Sequence, residues 1–212
     1  MIETFTARPL QRHRTMTVNQ VLHRLLTSAP AMFFKGHLKD VYWTFKGRSI
    51  TNPRLARPIE SMLFICQGNI CRSPFAALRA AQLLRDAGLG RIACASAGLR
   101  TTQAAAPPQD ARDAAVAFAV TLDGHVPLQL SQALVDRYDL LVVMEAKQLD
   151  AVRAAYPDAA DRVVLLPLFG DGVRSGYARW NIADPFGRPR QDFDACYTRI
   201  EHDLKGLIRL CH

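Results

Sequence analysis

The residues best suited to chemistry lie in one stretch, Cys66-Gln-Gly-Asn-Ile-Cys-Arg-Ser-Pro74. A thiol opens it and a guanidinium stands near its end. Between them Gly68 lets backbone approach a ligand closely, and Asn69 tolerates a left-handed conformation. Gln67, Gly68, Asn69, Ile70 and Cys71 can therefore turn their N–H groups toward an anion. The apolar run Met62–Ile65 before them reads as a buried strand. Ser73 and Pro74 after them read as a helix start, with Ser73 as N-cap and Pro74 at the first helical position. Cys66 then sits where a strand ends and a helix begins, in a field that favours anions and stabilises a thiolate. Arg72 adds a planar fork that matches two oxygens of a phosphate. A nucleophilic thiolate in a phosphate-sized cradle points to covalent phosphoryl transfer.

The elements that must position this stretch alternate regularly. A helix from Pro74 to Asp86, rich in Ala and Leu, is closed by Gly88. Arg91–Ala95 reads as a second strand, followed by Ser96-Ala-Gly98. A helix is expected over about Gln109–Thr121, and Ser131 as the cap of a short helix before Tyr138. Asp139–Met144 and Arg162–Leu166 read as the third and fourth strands, with a helix over roughly Lys147–Ala155 between them. The last helix carries an apolar stripe at Tyr197, Ile200, Leu204, Leu207 and Cys211. Strands alternating with helices predict an α/β fold, a three-layer α/β/α sandwich on a parallel sheet. In such sheets ligands bind beyond the carboxyl ends of the strands, which is where Cys66 falls.

Composition divides the chain. Residues 1–60 carry ten Lys and Arg against three Asp and Glu, so most of the net charge of +8 belongs to the head. Thr17 is a cap candidate for a short helix through Val18, Val21, Leu22, Leu25 and Leu26. The stretch Phe33–Arg48, aromatic and basic, suits either contact with a membrane surface or acidic partner, or packing of its rings on the main domain. Asn52–Pro58 reads as a linker. The expected organisation is therefore an N-terminal extension over 1–58 and a catalytic domain over 59–212. No apolar run approaches a membrane span. No nucleic-acid motif accompanies the basic charge. The histidines, at 13, 23, 37, 125, 202 and 212, form no ligand cluster, so neither metal nor cofactor is expected. Five cysteines do not suggest a disulfide framework; a reactive thiol suits a reducing cytoplasm. Cys94, Cys196 and Cys211 read as core residues.

The pattern C-x-G-N-x-C-R-S-P, Cys66 to Pro74, resembles the signature of the low-molecular-weight protein tyrosine phosphatases. The resemblance covers about Glu60 to Leu210 and implies a four-stranded parallel sheet. It also gives meaning to Asp184-Pro185-Phe186-Gly187, which alone reads as a turn. In the family the late Asp-Pro supplies the general acid, so Cys66, Arg72 and Asp184 become the catalytic set. Asn69, Ser73, Ser96 and His125 match positions that form a hydrogen-bonded network under the phosphate loop, Ser73 also steadying the thiolate. Cys71 matches a second cysteine that can pair with the nucleophile on oxidation. The implied substrate is a phosphotyrosine protein, and Ser96-Ala-Gly-Leu99 looks like the bacterial branch that includes enzymes acting on tyrosine autokinases of exopolysaccharide assembly.

Departures from the family gather at the pocket mouth. Leu128 replaces a frequent basic residue, Thr101-Thr102 replaces a frequent aromatic, and one aromatic, Phe186, follows the Asp-Pro. Thr102 and Phe186 therefore leave the substrate preference open. Two rival readings remain. An arsenate reductase on the same fold needs further closely spaced cysteines, and Cys94 and Cys196 are far apart in sequence. A non-catalytic phosphotyrosine-binding or docking protein would have no need of an intact Cys66, Arg72 and Asp184.

Overall fold

The computed structural model describes residues 40–54, 58–102, 105–172 and 174–211. The helix expected at 17–26 lies outside them. Four strands, β1 (Ser61–Cys66), β2 (Ala93–Gly98), β3 (Leu140–Val143) and β4 (Val163–Leu165), form one sheet in the order β2-β1-β3-β4. Every pairing is parallel. β1 and β3 are buried on both faces, which is why they read as unbroken apolar runs. β1 connects to β2 on one side, and the chain then crosses to β3 on the other. The carboxyl end of β1 is thus a topological switch point, with Cys66 level with Gly98 of β2.

Helices cover both faces. The named helices are α1 (residues 40–46), α2 (Arg72–Asp86), α3 (Gln109–Val116), α4 (Gln132–Arg137), α5 (Ala146–Ala155), α6 (Gly176–Trp180) and α7 (Arg190–Ile208). Met62, Phe64 and Cys66 point into a core built with α2, α3 and α7, where Phe75 stacks on Tyr197 at 3.9 Å. Leu63 and Ile65 point into the opposite core with α4 and α5, together with Trp180. Among the described residues no helix is long and apolar enough to cross a membrane.

Several expectations shift. α2 starts at Arg72 with Cys71 in the N-cap position, so Ser73 is not the cap and Pro74 is not the first helical residue. Ser73 turns its hydroxyl instead to Cys66 Sγ and Ala97 O. Pro74 still falls in the first turn, where its missing N–H costs nothing. α3 stops at Val116, short of Thr121, and Ala119 turns the chain with a φ of 55°. Cys211 lies beyond the end of α7. The stretch read as a linker is fastened at its start: Asn52 donates through Nδ2 to Leu165 O at 3.1 Å and accepts at Oδ1 from Leu165 N at 2.7 Å. Trp43 and Ile50 pack on the second core. By its internal contacts one compact unit of the chain begins at Asp40.

Candidate active site

Cys66 ends β1 and is almost fully buried. Beyond it the loop is pinned from outside: Leu99 N donates to Cys66 O at 3.0 Å and Arg100 N to Gln67 O at 2.8 Å. A peptide's C=O and N–H point in opposite directions, so these two bonds turn the N–H groups of Gln67 and Gly68 away from β2 and toward the cradle. Gly98 permits the close approach: a Cβ there would meet Asn69 N at 3.0 Å. At Gly68, expected to be the close-approach glycine, a Cβ would meet nothing nearer than 3.6 Å. Its small size serves the cavity rather than the loop's own packing.

Asn69 holds the loop from beneath. Its φ of 54° is left-handed, a conformation its short polar side chain makes tolerable. Its Nδ2 donates to Ser73 Oγ and Ser96 Oγ, each at 2.8 Å, while Oδ1 accepts from Leu128 N at 2.8 Å. His125 Nε2 lies 2.7 Å from Asn69 O. A carbonyl only accepts, so this nitrogen carries the proton. Ser73 Oγ is 3.1 Å from Cys66 Sγ and 3.2 Å from Ala97 O, and its single hydroxyl proton is well placed for a thiolate. The structure therefore brings Asn69, Ser73, Ser96 and His125 into one network around Cys66. Leu128 contributes through its backbone, which any residue type could supply.

Arg72 is buried at the start of α2. Its Nη1 donates to Glu145 Oε1 at 2.5 Å and to Ile182 O at 3.1 Å, and its Nη2 pairs with Asp184 Oδ2. Its Nε is buried with no partner. Burial works against its charge, but Cys66, Asp184 and Glu145 together outweigh it and hold its pKa above the ordinary arginine range. Three of the fork's five N–H groups are thus taken, and Nε stands unused beside the Nη2 that Asp184 holds. A phosphoryl group taking both would replace the Asp184 carboxylate on the fork.

Sequence reasoning missed Glu145. It is buried, touches Arg72, and lies 3.2 Å from Lys147 Nζ. Its signal was available, since it stands just past the carboxyl end of β3, the strand beside β1. Arg100 was also missed and lines the same cavity.

That cavity holds about 280 Å³ and is lined by Cys66, Gly68, Ile70, Arg72, Asp184 and Phe186 among others. Thr102 also borders it. Cys66 and Arg72 lie at its buried end, while Phe186 is 60 % exposed at its mouth. Cys71 lines it too, and burial, followed by the neighbouring Cys66 and Asp184, pushes its thiol up to about 12. Cys196 is buried in the core, and Cys94 and Cys211 are partly buried beside it. Among the described residues no group of three or more His, Cys, Asp or Glu is arranged to hold a metal ion.

This arrangement, a thiol and a guanidinium around one anion-sized cavity with a carboxylate at its edge, has close parallels. The profile of the family described as low molecular weight phosphotyrosine protein phosphatase matches residues 61–211. The probable low molecular weight protein-tyrosine-phosphatase AmsI of Erwinia amylovora is 33% identical over 150 residues, 71% of this chain and 96% of the relative. The low molecular weight protein-tyrosine-phosphatase Wzb of Escherichia coli K12 is 28% identical over 150 residues, 69% of this chain and 91% of the relative. The crystal structure of the Erwinia amylovora tyrosine phosphatase AmsI superposes with a TM-score of 0.64 at 28% identity, covering 76% of this chain and 98% of that one. Wzb from Escherichia coli K30 in complex with sulphate gives a TM-score of 0.64 at 28% identity, covering 73% and 99%. The chain belongs to the low molecular weight phosphotyrosine protein phosphatase family and is a phosphoric monoester hydrolase.

Proposed function

We propose that this protein removes phosphate from tyrosine in protein substrates through a cysteinyl-phosphate intermediate. The observation that carries the reading is the shared cavity of Cys66, Arg72 and Asp184, walled by Ile70 and Phe186. Apolar walls around a buried anion-binding end suit an aryl phosphate. In the first step Cys66 Sγ attacks phosphorus as the bond to the tyrosyl oxygen breaks. Arg72 Nε and Nη2, with the N–H groups of the loop Gln67–Cys71, stabilise the equatorial oxygens. Displaced from the Arg72 fork by the phosphoryl group, the Asp184 carboxylate takes up a proton from solvent and gives it to the departing oxygen. In the second step the Asp184 carboxylate takes a proton from water, which attacks phosphorus and releases inorganic phosphate and the Cys66 thiolate. The Ser73 hydroxyl, 3.1 Å from Sγ, stabilises that thiolate in both directions. Glu145 steers the Arg72 fork, while Asn69, Ser96 and His125 keep the loop in shape.

The same reading assigns Cys71 a protective part. Peroxide converts Cys66 to a sulfenic acid, and condensation with the Cys71 thiol expels water and forms a reducible disulfide. All five cysteines are free, which suits a reducing cytoplasm. The resemblance to the bacterial branch makes an autophosphorylated tyrosine kinase of exopolysaccharide assembly the physiological target of choice. The basic residues within 1–58, an extension ahead of the family domain, suit docking to an acidic partner or membrane surface.

The test compares wild type, Cys66→Ser and Asp184→Ala on a phosphotyrosine peptide and a phosphoarginine peptide in reducing buffer. Acid quenching of the wild type should trap phosphate on Cys66. Cys66→Ser should lose about 10⁴-fold or more in kcat, and Asp184→Ala about 10²–10⁴-fold. Faster turnover of phosphoarginine would overturn the substrate class; full activity in Cys66→Ser would overturn the mechanism.

A further inference from the structure

We infer that residues 40–54, which precede the family domain, are a positioning element for the loop that carries Asp184. The inference rests on the reading of Asp184 as the general acid.

The arm holds α6 at both ends. Asp40 Oδ1 accepts from Tyr177 N at 2.9 Å, pairing one of the N–H groups that a first helical turn leaves open. Ser175, at the N-cap position, makes no side-chain cap bond, so the cap comes from a residue 137 positions away. Gly176 has a φ of 57°, and a Cβ there would lie 2.4 Å from Asp40 Oδ1. Glycine is thus required both by the backbone and by the carboxylate that fills the space. Trp43 meets Tyr177 edge to face at 6.0 Å. At the other end of α6 the arm lies flat on Trp180: a Cβ on Gly47 would fall 2.0 Å from Trp180 Nε1. The arm is fastened independently by Asn52, which brackets Leu165 at the end of β4.

From α6 the restraint passes along few bonds to the chemistry. Asn181 Nδ2 donates to Tyr177 O at 3.0 Å, and its Oδ1 accepts from Ala146 N at 3.1 Å. Ile182 N donates to Met144 O at 2.9 Å, and Ile182 O accepts from Arg72 Nη1 at 3.1 Å. Asp184 follows two residues later, with its side chain 41 % exposed. A five-residue helix has no stability of its own. The register of Ile182, and through it the reach of Asp184, therefore depends on what grips α6. The matched family stretch begins at residue 61, so this grip is an addition to it.

The test uses the full chain with two substrates. Phenyl phosphate has a leaving group about as basic as tyrosine, pKa ~10, and needs the acid. 2,4-Dinitrophenyl phosphate has a leaving group that departs without a proton. Asp40→Ala and Trp43→Ala should each lower kcat/KM on phenyl phosphate, which reports the first chemical step, by roughly 5–20-fold, part of the ~10²–10⁴ that a general acid supplies. In kcat/KM on the dinitrophenyl ester each should stay within about twofold of wild type: a leaving group that needs no proton draws nothing from a general acid, and the second step, where Asp184 serves both esters as base, does not enter that constant. That ester is also the folding control, because an unfolded fraction lowers both rates alike. Asp40→Asn keeps the Oδ1 acceptor and should restore turnover of phenyl phosphate. In an Asp184→Ala background, Asp40→Ala should add nothing. An equal fall on both esters, no fall on either, or an Asp40→Asn as slow as Asp40→Ala would overturn the inference. If Asp184→Ala shows no dependence on the leaving group, the acid reading fails and the inference with it. If Asp184→Ala shows that dependence and the arm variants do not, the inference alone fails.

Discussion

The two halves of the proposed active site are built in opposite ways. On the nucleophile side, Cys66, the loop and Arg72 come from one contiguous stretch, and their supports Asn69, Ser73, Ser96 and His125 all belong to the family domain. Cys66, Asn69, Arg72 and Ser73 are buried. On the acid side, Asp184 is partly exposed on a loop whose anchors come from the arm, the end of β3, the start of α5 and Arg72. A fixed anion cradle demands rigidity, because its donors must be in place before charge develops. A proton donor must leave one partner and reach another. The cradle is accordingly locked locally, while the acid is held at a distance by parts that can differ without touching the nucleophile.

The two halves meet at Arg72. Lysine keeps the charge but is a point donor that cannot serve Glu145, Ile182 O and a phosphoryl group together. Arg72→Lys should lower kcat by ~10²–10³, the scale for losing a preorganised donor to the transition state. The loss should be equal on phenyl phosphate and 2,4-dinitrophenyl phosphate, because the equatorial oxygens carry charge whatever the leaving group. A loss confined to phenyl phosphate would mean that Arg72 acts mainly by holding Asp184, and the division into two halves would fall.

Asn69→Ala probes the locked half. It removes three side-chain hydrogen bonds and leaves alanine at a φ of 54°. The expected cost is about 2–4 kcal/mol in stability, from unsatisfied buried partners and backbone strain. Urea denaturation should show it as a lower midpoint with an unchanged slope. Asp40→Ala, on the distant half, should cost less in stability and more in turnover of phenyl phosphate. A reversed order would show that the arm is structural and the network dispensable.

What could be read in advance follows the same division. The strand, loop and first helix are legible because their chemistry and their geometry lie in consecutive residues. The parallel sheet is legible because strands buried on both faces are plain apolar runs, as in Leu140–Val143. Ser73 misleads because a serine before proline has the pattern of a cap, and only the fold shows Cys66 Sγ competing for its hydroxyl. Asp184 has no local mark beyond its proline. Glu145 was findable from its place after a strand beside β1, but a carboxylate there looks like any helix-start acid until Arg72 is opposite it. The rings of Phe33–Arg48 suggest packing on the main domain, but nothing in the sequence marks Asp40 as the partner of Tyr177 N, 137 residues on.

The smallest expected effect tests whether the nucleophile half needs its outer clamp. α2, which begins with Arg72, is tied to α7 by Arg79, whose Nη2 donates to Glu201 Oε1 at 2.8 Å. Burial pushes the Glu201 carboxyl up, but hydrogen bonds from Arg79 and Lys205 outweigh it and leave its pKa below the usual value. A carboxyl with a lowered folded pKa stabilises the fold above its unfolded pKa, and that stabilisation is lost as pH falls through the folded value. Because the pair is partly screened, Glu201→Gln should cost at most about 1 kcal/mol at neutral pH. Thermal melts of wild type and variant should differ by a few degrees at neutral pH, consistent with ~1 kcal/mol, and should converge as the pH drops below the ordinary glutamate range. Turnover should stay unchanged on both esters, because the cradle is held by Asn69 and Ser73 from inside. A fall in kcat with Glu201→Gln would show that the tilt of α2, and with it the Arg72 fork, is set from the surface rather than by the buried network.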